Sequence, residues 1–413
     1  MSRRLFPLVV LAAATLVSSA CSVDSSDGGS GHAVRDSAGV RIVESHSPRW
    51  APGEEWTIGP EPAVSIGVAE GEPEYQLFQV SDATRLSDGR IAIVNSGTKE
   101  VRVFDAEGTH VETVGGEGEG PGEFRYPLKI ARAALDTVRV FDGAYPGSVS
   151  LFDDTAFIER TTLDRAGLEA AFPGWSAEGG DLLPDGTLLL GLHNQANAGP
   201  SPAGAFRIEN GWTRMTADGS RIDTVGFFPG YENFGYESEG RMRGGALPFG
   251  SNTYVVAGGD PVRVFVADSR VYEIRGLSDD GAVRTLIRRD YPPRPVTADD
   301  ISRWEVQYRG FLDQVPEEQR GRFLEYLDVV EFPETKPAFG IVEVDLAGNL
   351  WVGDTDRAGD GQSMSVFSPE GVWLGHVTLP PTLRIFEIGP DYVLGSTRDE
   401  LGIETVELYE LVK

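Results

Sequence analysis

The chain holds a single cysteine, Cys21. No intramolecular disulfide can form, and no site built from several thiolates. Positive charge is also scarce: 36 Lys and Arg stand against 64 Asp and Glu, a formal net charge of -28. Such a surface repels phosphate backbones and anionic headgroups, which removes nucleic acid from the expected partners. Histidine occurs only at His32, His46, His110, His193 and His376. Apolar runs of membrane-spanning length are missing, as are a Gly-x-Ser-x-Gly nucleophile elbow and a phosphate-binding loop. The glycine-rich stretch around Gly115, Gly116, Gly118 and Gly120 carries Glu117 and Glu119, so it would repel phosphate and reads as a turn.

What is present begins with an export signal. Arg3 and Arg4, the apolar residues 5–17 and then Ser18, Ser19 and Ala20 read as a signal peptide over residues 1–20. Cys21 follows directly, and a thiol at a new N-terminus can carry a lipid. Ser18 stands where lipoprotein signals normally have an aliphatic residue, with Val17 one step back; ordinary cleavage after Ala20 is the alternative. Residues 21–38, rich in Ser, Gly and Asp at their start, read as a flexible tether with a reach of about 20–25 Å. The expected location is therefore the cell envelope, periplasmic or outer surface, with one folded domain over residues 39–413.

Glycine at 51 positions points to many tight turns, and the turns recur. Asp88-Gly89 precedes the strand Ile91-Ala92-Ile93-Val94, followed by Val101-Arg102-Val103-Phe104, a Glu107-Gly108 turn and Val111-Glu112-Thr113-Val114. The same order returns at intervals of about 50 residues. It passes through Val138-Arg139-Val140-Phe141, Asp185-Gly186, Val262-Arg263-Val264-Phe265 and Asn349-Leu350-Trp351-Val352. The last copy, ending at Thr405-Val406-Glu407-Leu408, has three strands only. An orphan strand, Val64-Ser65-Ile66, lies before the first copy. A ring in which the orphan completes the last unit explains both, and it removes free sheet edges. The expected fold is all-β: a six-bladed β-propeller closed by an N-terminal strand. Between blades 4 and 5, Thr297 with Asp300 caps a helical insert at about residues 297–332, with Ile301, Trp304, Tyr308 and Phe311 at helical spacing.

The repeat built on Asp88-Gly89-Arg90-Ile91-Ala92-Ile93-Val94-Asn95 and Val101-Arg102-Val103-Phe104-Asp105-Ala106-Glu107-Gly108 resembles the NHL repeat, as does the linker from Gly118 through Pro121 to Phe124. The opening Asp36-Ser37-Ala38-Gly39-Val40-Arg41-Ile42-Val43 is similar to exported six-bladed propeller lipoproteins of bacteria. That resemblance implies the fold and leaves activity open.

In a propeller of this kind the loops after the second strand of each blade ring the tunnel mouth. Those loops are expected to hold Asn95, Asp142, His193 with Asn194 and Gln195, Asp260, and Asp354 with Asp356. A ring of oxygen ligands of this kind would suit Ca²⁺ or a polyol. The plainer reading is that Asp and Asn at strand ends satisfy turn backbone. His193 is the one histidine expected at the mouth, which argues against a multi-histidine zinc site. Two functions follow. The first is a monomeric, non-catalytic binding or scaffold protein for an envelope protein, peptide or glycan. The second is a hydrolase or lactonase using a divalent ion in the tunnel.

Overall fold

The first two strands of blade 1 are joined by a turn that depends on glycine. In blade 1 the Gly89 N–H donates to the Leu86 carbonyl (3.1 Å) and the Leu86 N–H to that of Arg90 (2.7 Å). Gly89 sits at φ 94°, in the left-handed region where a side chain is strained. The structure, a computed structural model, describes residues 31–133, 137–153, 156–238, 240–355 and 361–413. Cys21 and Asp356 lie outside the described residues.

Six antiparallel sheets follow in chain order, each counted from its inner strand outward. Blade 1 is Val80–Arg85, Ile91–Asn95, Glu100–Phe104 and His110–Gly115. Blade 2 is Pro127–Arg132, Val138–Asp142, Ser148–Asp153 and Ala156–Thr162. Blade 3 runs from inner strand Trp175–Leu182 through Leu188–Asn194 and Gly204–Met215 to Ile222–Ser238, with Arg241–Ala246 added. Blade 4 is Thr253–Gly258, Arg263–Asp268, Glu273–Leu277 and Val283–Arg289. Blade 5 is Ile341–Val344, Leu350–Gly353, Gln362–Phe367 and Trp373–Leu379. Blade 6 has Arg384–Ile388, Tyr392–Arg398 and Glu404–Val412 from the C-terminus and takes Val64–Ile66 as its outer strand, with Ile66 opposite Val406.

The core is divided among the seams between blades. Apolar clusters join blades 1 and 2 (Val94, Val140), 2 and 3 (Phe141, Leu190), and 3 and 4 (Leu189, Val264). Others join blades 4 and 5 (Phe265, Leu350), 5 and 6 (Trp351, Val393), and 6 and 1 (Leu394, Ile93). An open arc of six sheets would have five such seams. The sixth closes the ring.

The N-terminal part of the domain differs from expectation. His32–Ser37, assigned from sequence to the tether, is a strand paired with Val40–Ser45. Val40–Ser45 in turn lies parallel to the outer strand of blade 4, with Ile42 opposite Leu286. A polar segment becomes a strand because a ready sheet edge offers it backbone partners. The chain then straps the outside of the ring: Arg49 and Trp50 donate to Trp373 and Leu374 (3.1 and 2.8 Å), and Ile58 pairs with Leu411. The helical insert forms as expected, as α-helices Ala298–Leu312 and Glu317–Val329 with a Thr297/Asp300 capping box. It packs on the extended outer strands of blade 3, where Tyr326 meets Phe234 and Leu247. No insert residue lines the tunnel. Among the described residues no helix is long and apolar enough to cross a membrane.

Candidate functional site

The six inner strands enclose a tunnel of about 690 Å³. Arg132 apart, its charged lining falls into two groups. Around the seam of blades 6 and 1, Glu387 accepts from Thr84 Oγ1 (2.6 Å), Arg85 N (3.1 Å) and the Tyr392 hydroxyl. Arg384 donates to the carbonyls of Val80 (3.3 Å) and Ser81 (3.1 Å). These groups hold the ring together and have little left for a ligand.

The second group is a layer of Asp82, Lys129, Asp181 and Glu343 from blades 1, 2, 3 and 5. Lys129 Nζ lies 2.7 Å from Asp181 Oδ1. Asp82 Oδ2 accepts from Ile130 N (3.0 Å), bridging two inner strands. Burial pushes the Asp82 carboxyl up to about 7 against the pull of Lys129, and burial with the Asp181 charge pushes Glu343 up to about 7. Burial opposes the Lys129 charge, yet Asp82 and Asp181, and more weakly Glu343, hold its ammonium protonated well above the usual range. The sequence reading missed this layer. The one available signal was a charged residue interrupting a short apolar strand, as in Ile341-Val342-Glu343-Val344.

These shifts make stability depend on pH. Between about pH 4 and 7 the folded chain keeps protons on Asp82 and Glu343 that the unfolded chain releases. Stability contributed by these groups is therefore present in acid and lost as pH rises toward 7. Replacing both, as Asp82→Asn with Glu343→Gln, should flatten the slope of unfolding free energy across that window in urea titrations. An unchanged slope would remove the two carboxyls as its source.

The predicted mouth residues have a different use. Asn95, buried, accepts from Phe78 N (2.7 Å) and donates to Thr98 Oγ1 (2.8 Å). Asp142, also buried, accepts from Arg125 N (2.7 Å), Tyr126 N (3.1 Å) and Ala144 N (2.9 Å). Asn194 Oδ1 accepts from Ala196 N (2.9 Å), and Gln195 bonds Ser176 Oγ (2.7 Å). His193 is half-buried opposite Ser176. Asp354 is half-buried at the end of the second strand of blade 5, near Tyr272, Tyr291 and His376. Asp260 requires a correction. It lies in the turn between the first and second strands of blade 4, at the opposite end of the tunnel from Asn95. The residue at the expected position is Asp268, opposite Thr253. Among the described residues no group of three or more His, Cys, Asp or Glu side chains is arranged to hold a metal.

Asn95 and Asp142 do position something. Each clasps a residue one or two positions before its blade's inner strand, and in both blades a glycine completes the clasp. Gly97 N donates to the Phe78 carbonyl (3.0 Å) and Gly143 N to that of Tyr126 (2.9 Å). A Cβ at Gly97 would fall 2.1 Å from the Phe78 ring, so only glycine fits. The clasped side chains face solvent, Phe78 at 58% exposure and Tyr126 at 52%. Tyr145, on the adjoining loop of blade 2, is 76% exposed beneath the Arg165 guanidinium (5.5 Å to the ring centroid). Neighbouring blades thus hold exposed aromatic rings on the loop face beside the tunnel.

Residues 74–133, which cover blade 1 and the inner strand of blade 2, match a family described as "6-bladed beta-propeller". The chain folds as a six-bladed β-propeller. Among solved structures it is similar to a putative exported protein of Bacteroides fragilis, at 13% identity and TM-score 0.43, over 90% of this chain and 98% of that one. A member of the duf4221 family from Bacteroides vulgatus matches at 9% identity and TM-score 0.47, over 87% and 99%. A gluconolactonase of Xanthomonas campestris matches at 13% identity and TM-score 0.39, over 81% and 88%. No protein of curated function matches the sequence. Nothing about activity passes to this chain from such distant likenesses.

Proposed function

We propose that the protein is exported, lipid-anchored through Cys21, and binds a protein, peptide or glycan on the loop face of its propeller without catalysis. The observation that carries this reading is the pair of clasped aromatic rings, Phe78 and Tyr126, with Tyr145 beside them. Large apolar rings held in water by a buried hydrogen-bonding scaffold are poor for stability. They are well suited to stack on a sugar face or an apolar side chain.

The alternative is a hydrolase or lactonase working through a divalent ion in the tunnel. Asp82 and Glu343, titrating near neutrality, give it support as candidate acid–base groups. Against it, the carboxylates of that layer already share the Lys129 ammonium.

The two readings separate in one set of measurements on the lipidated protein in envelope fractions. The triple variant Phe78→Ala, Tyr126→Ala, Tyr145→Ala should melt within about 2 °C of the parent, since exposed side chains contribute little to stability. It should lose at least tenfold in capture of the envelope ligand, while EDTA leaves melting and capture unchanged. Cys21→Ser should move the protein from membrane to soluble fraction. Undiminished capture by the triple variant, or a chelator-dependent melt, would sink the binding reading.

A further inference from the structure

A second cavity, of about 560 Å³, lies on blade 4 beside the N-terminal strand, away from the tunnel. We propose that it binds a small organic carboxylate, held by Arg289 and the phenol hydroxyls of Tyr272 and Tyr291.

The argument starts from charge pairing. Four cationic side chains line the cavity: Arg270, Arg288, Arg289 and Lys336. Arg270 is paired with Asp268 (2.8 Å), Arg288 with Glu44 (3.1 Å) and Glu273 (2.9 Å), and Lys336 with Asp300 (2.8 Å). Of the acids in the lining, Glu44 and Glu273 are taken by Arg288, and Asp290 bonds His46 Nδ1 (2.8 Å). Arg289 differs. It donates to the Ser365 hydroxyl, its Nε is buried without an acceptor, and no described carboxylate forms an ion pair with it. Asp354 is near enough to raise both phenols, yet no ion pair joins it to Arg289.

An unpaired guanidinium is costly where rings withdraw it from water, and the chain has acidic residues in excess to pair it. Instead the guanidinium is fixed between rings, 4.5 Å from the Tyr272 centroid and 4.6 Å from that of Trp373. Stacking leaves its edge as the remaining place for an acceptor. Two more donors lie close by. Tyr272 is 8% exposed, and its hydroxyl and that of Tyr291 are buried without a partner in full hydrogen-bond geometry, with Ser365 close to the first and Arg294 to the second. Burial raises both phenols, so both keep their protons to donate. A guanidinium edge with two phenol O–H groups is a donor set for a planar oxyanion. The volume is that of a small-molecule site, and exposed Val271 with Pro293 offers an apolar wall. The chemistry that fits is a carboxylate on a compact apolar body.

The probe is phenylacetate, with phenylacetamide as the uncharged control, followed by ligand-observed NMR titration of the full mature domain at constant ionic strength. Phenylacetate should bind saturably in the millimolar range and phenylacetamide at least tenfold more weakly. Arg289→Met should weaken phenylacetate at least tenfold. Arg289 also stacks between blades, so Tyr272→Phe with Tyr291→Phe provides a second arm. Neither hydroxyl has a partner in full hydrogen-bond geometry, so that variant should fold and still lose severalfold in affinity. The Phe78, Tyr126 and Tyr145 triple variant should bind phenylacetate as the parent does, which separates this site from the loop face. Equal binding of acid and amide, no saturable binding, or full affinity in the phenol variant would each overturn the proposal.

Discussion

A chain shortened to begin at residue 70 will fail to form a stable monomer. It loses Val64–Ile66, which pairs with Val406 to Leu408, and Thr57–Ile58, which pairs with Leu411 and Val412. It also loses Trp50 and Trp56 from the seam of blades 5 and 6. Each large apolar side chain removed from burial forfeits about 1.5–3 kcal/mol. Ile66 is fully buried and Trp50, Trp56, Ile58 and Val64 are half-buried, so together they amount to about 4–9 kcal/mol, comparable with a whole domain's stability. The strand Glu404–Val412 would become an open edge nine residues long, a template for pairing with other chains. Light scattering after size exclusion should show larger species and aggregates than the full-length chain gives. By contrast, Ile66→Ala should fold and lose about 2–4 kcal/mol. A truncated chain that stays monomeric and melts within a few degrees of the parent would show that the ring does not depend on this closure.

Asp345→Ala should be the most damaging single substitution among the turns between first and second strands. Asp345 is 1% exposed and accepts four hydrogen bonds. Its Oδ1 takes Ala347 N (3.0 Å) and Asn349 N (2.7 Å); its Oδ2 takes Asn349 Nδ2 (2.7 Å) and the Trp351 indole N–H (3.0 Å). Trp351 is fully buried in the seam of blades 5 and 6, so its orphaned donor would have no water to turn to. The expected loss is about 3–5 kcal/mol in chemical denaturation. Asp88 in the corresponding turn of blade 1 is a built-in control. Its side chain is 45% exposed and serves only Arg90, so Asp88→Ala should cost under about 1 kcal/mol. Equal losses at both positions would mean that burial of Asp345 adds nothing.

The contrast between these turns also shows where reading the chain stops. Asp345 opens its turn three residues before Gly348 while Asp88 directly precedes Gly89, but only the fold shows that the first is buried and the second exposed. The repeat, the orphan strand and the capped insert were legible because they rest on local signals: glycine at turns, β-branched runs, a Thr and an Asp three apart. His32–Ser37 was read as tether because its strand character comes from a neighbouring edge rather than from its own composition. Asp260 was put at the wrong end of the tunnel because the repeat pattern in blade 4 does not say which of its strands is innermost. Asn95 and Asp142 fit the plainer of their two readings, since they bond loop backbone; the sequence did not show that the backbone they clasp carries Phe78 and Tyr126.

Local chemistry alone determined that this chain would make twisted four-stranded units and that the first strand was owed to the last unit. Hydrophobic periodicity and turn residues act over a few positions, and they are written in order along the chain. Which groups meet at the axis was decided only by closing the ring. Asp82, Lys129, Asp181 and Glu343 lie on four separate blades, and their charges couple because the inner strands converge on one tunnel. Arg289 stands without a carboxylate among the described residues for the same kind of reason. Its stacking partners, Tyr272 and Trp373, belong to blades 4 and 5, and the seam between those sheets brings them together.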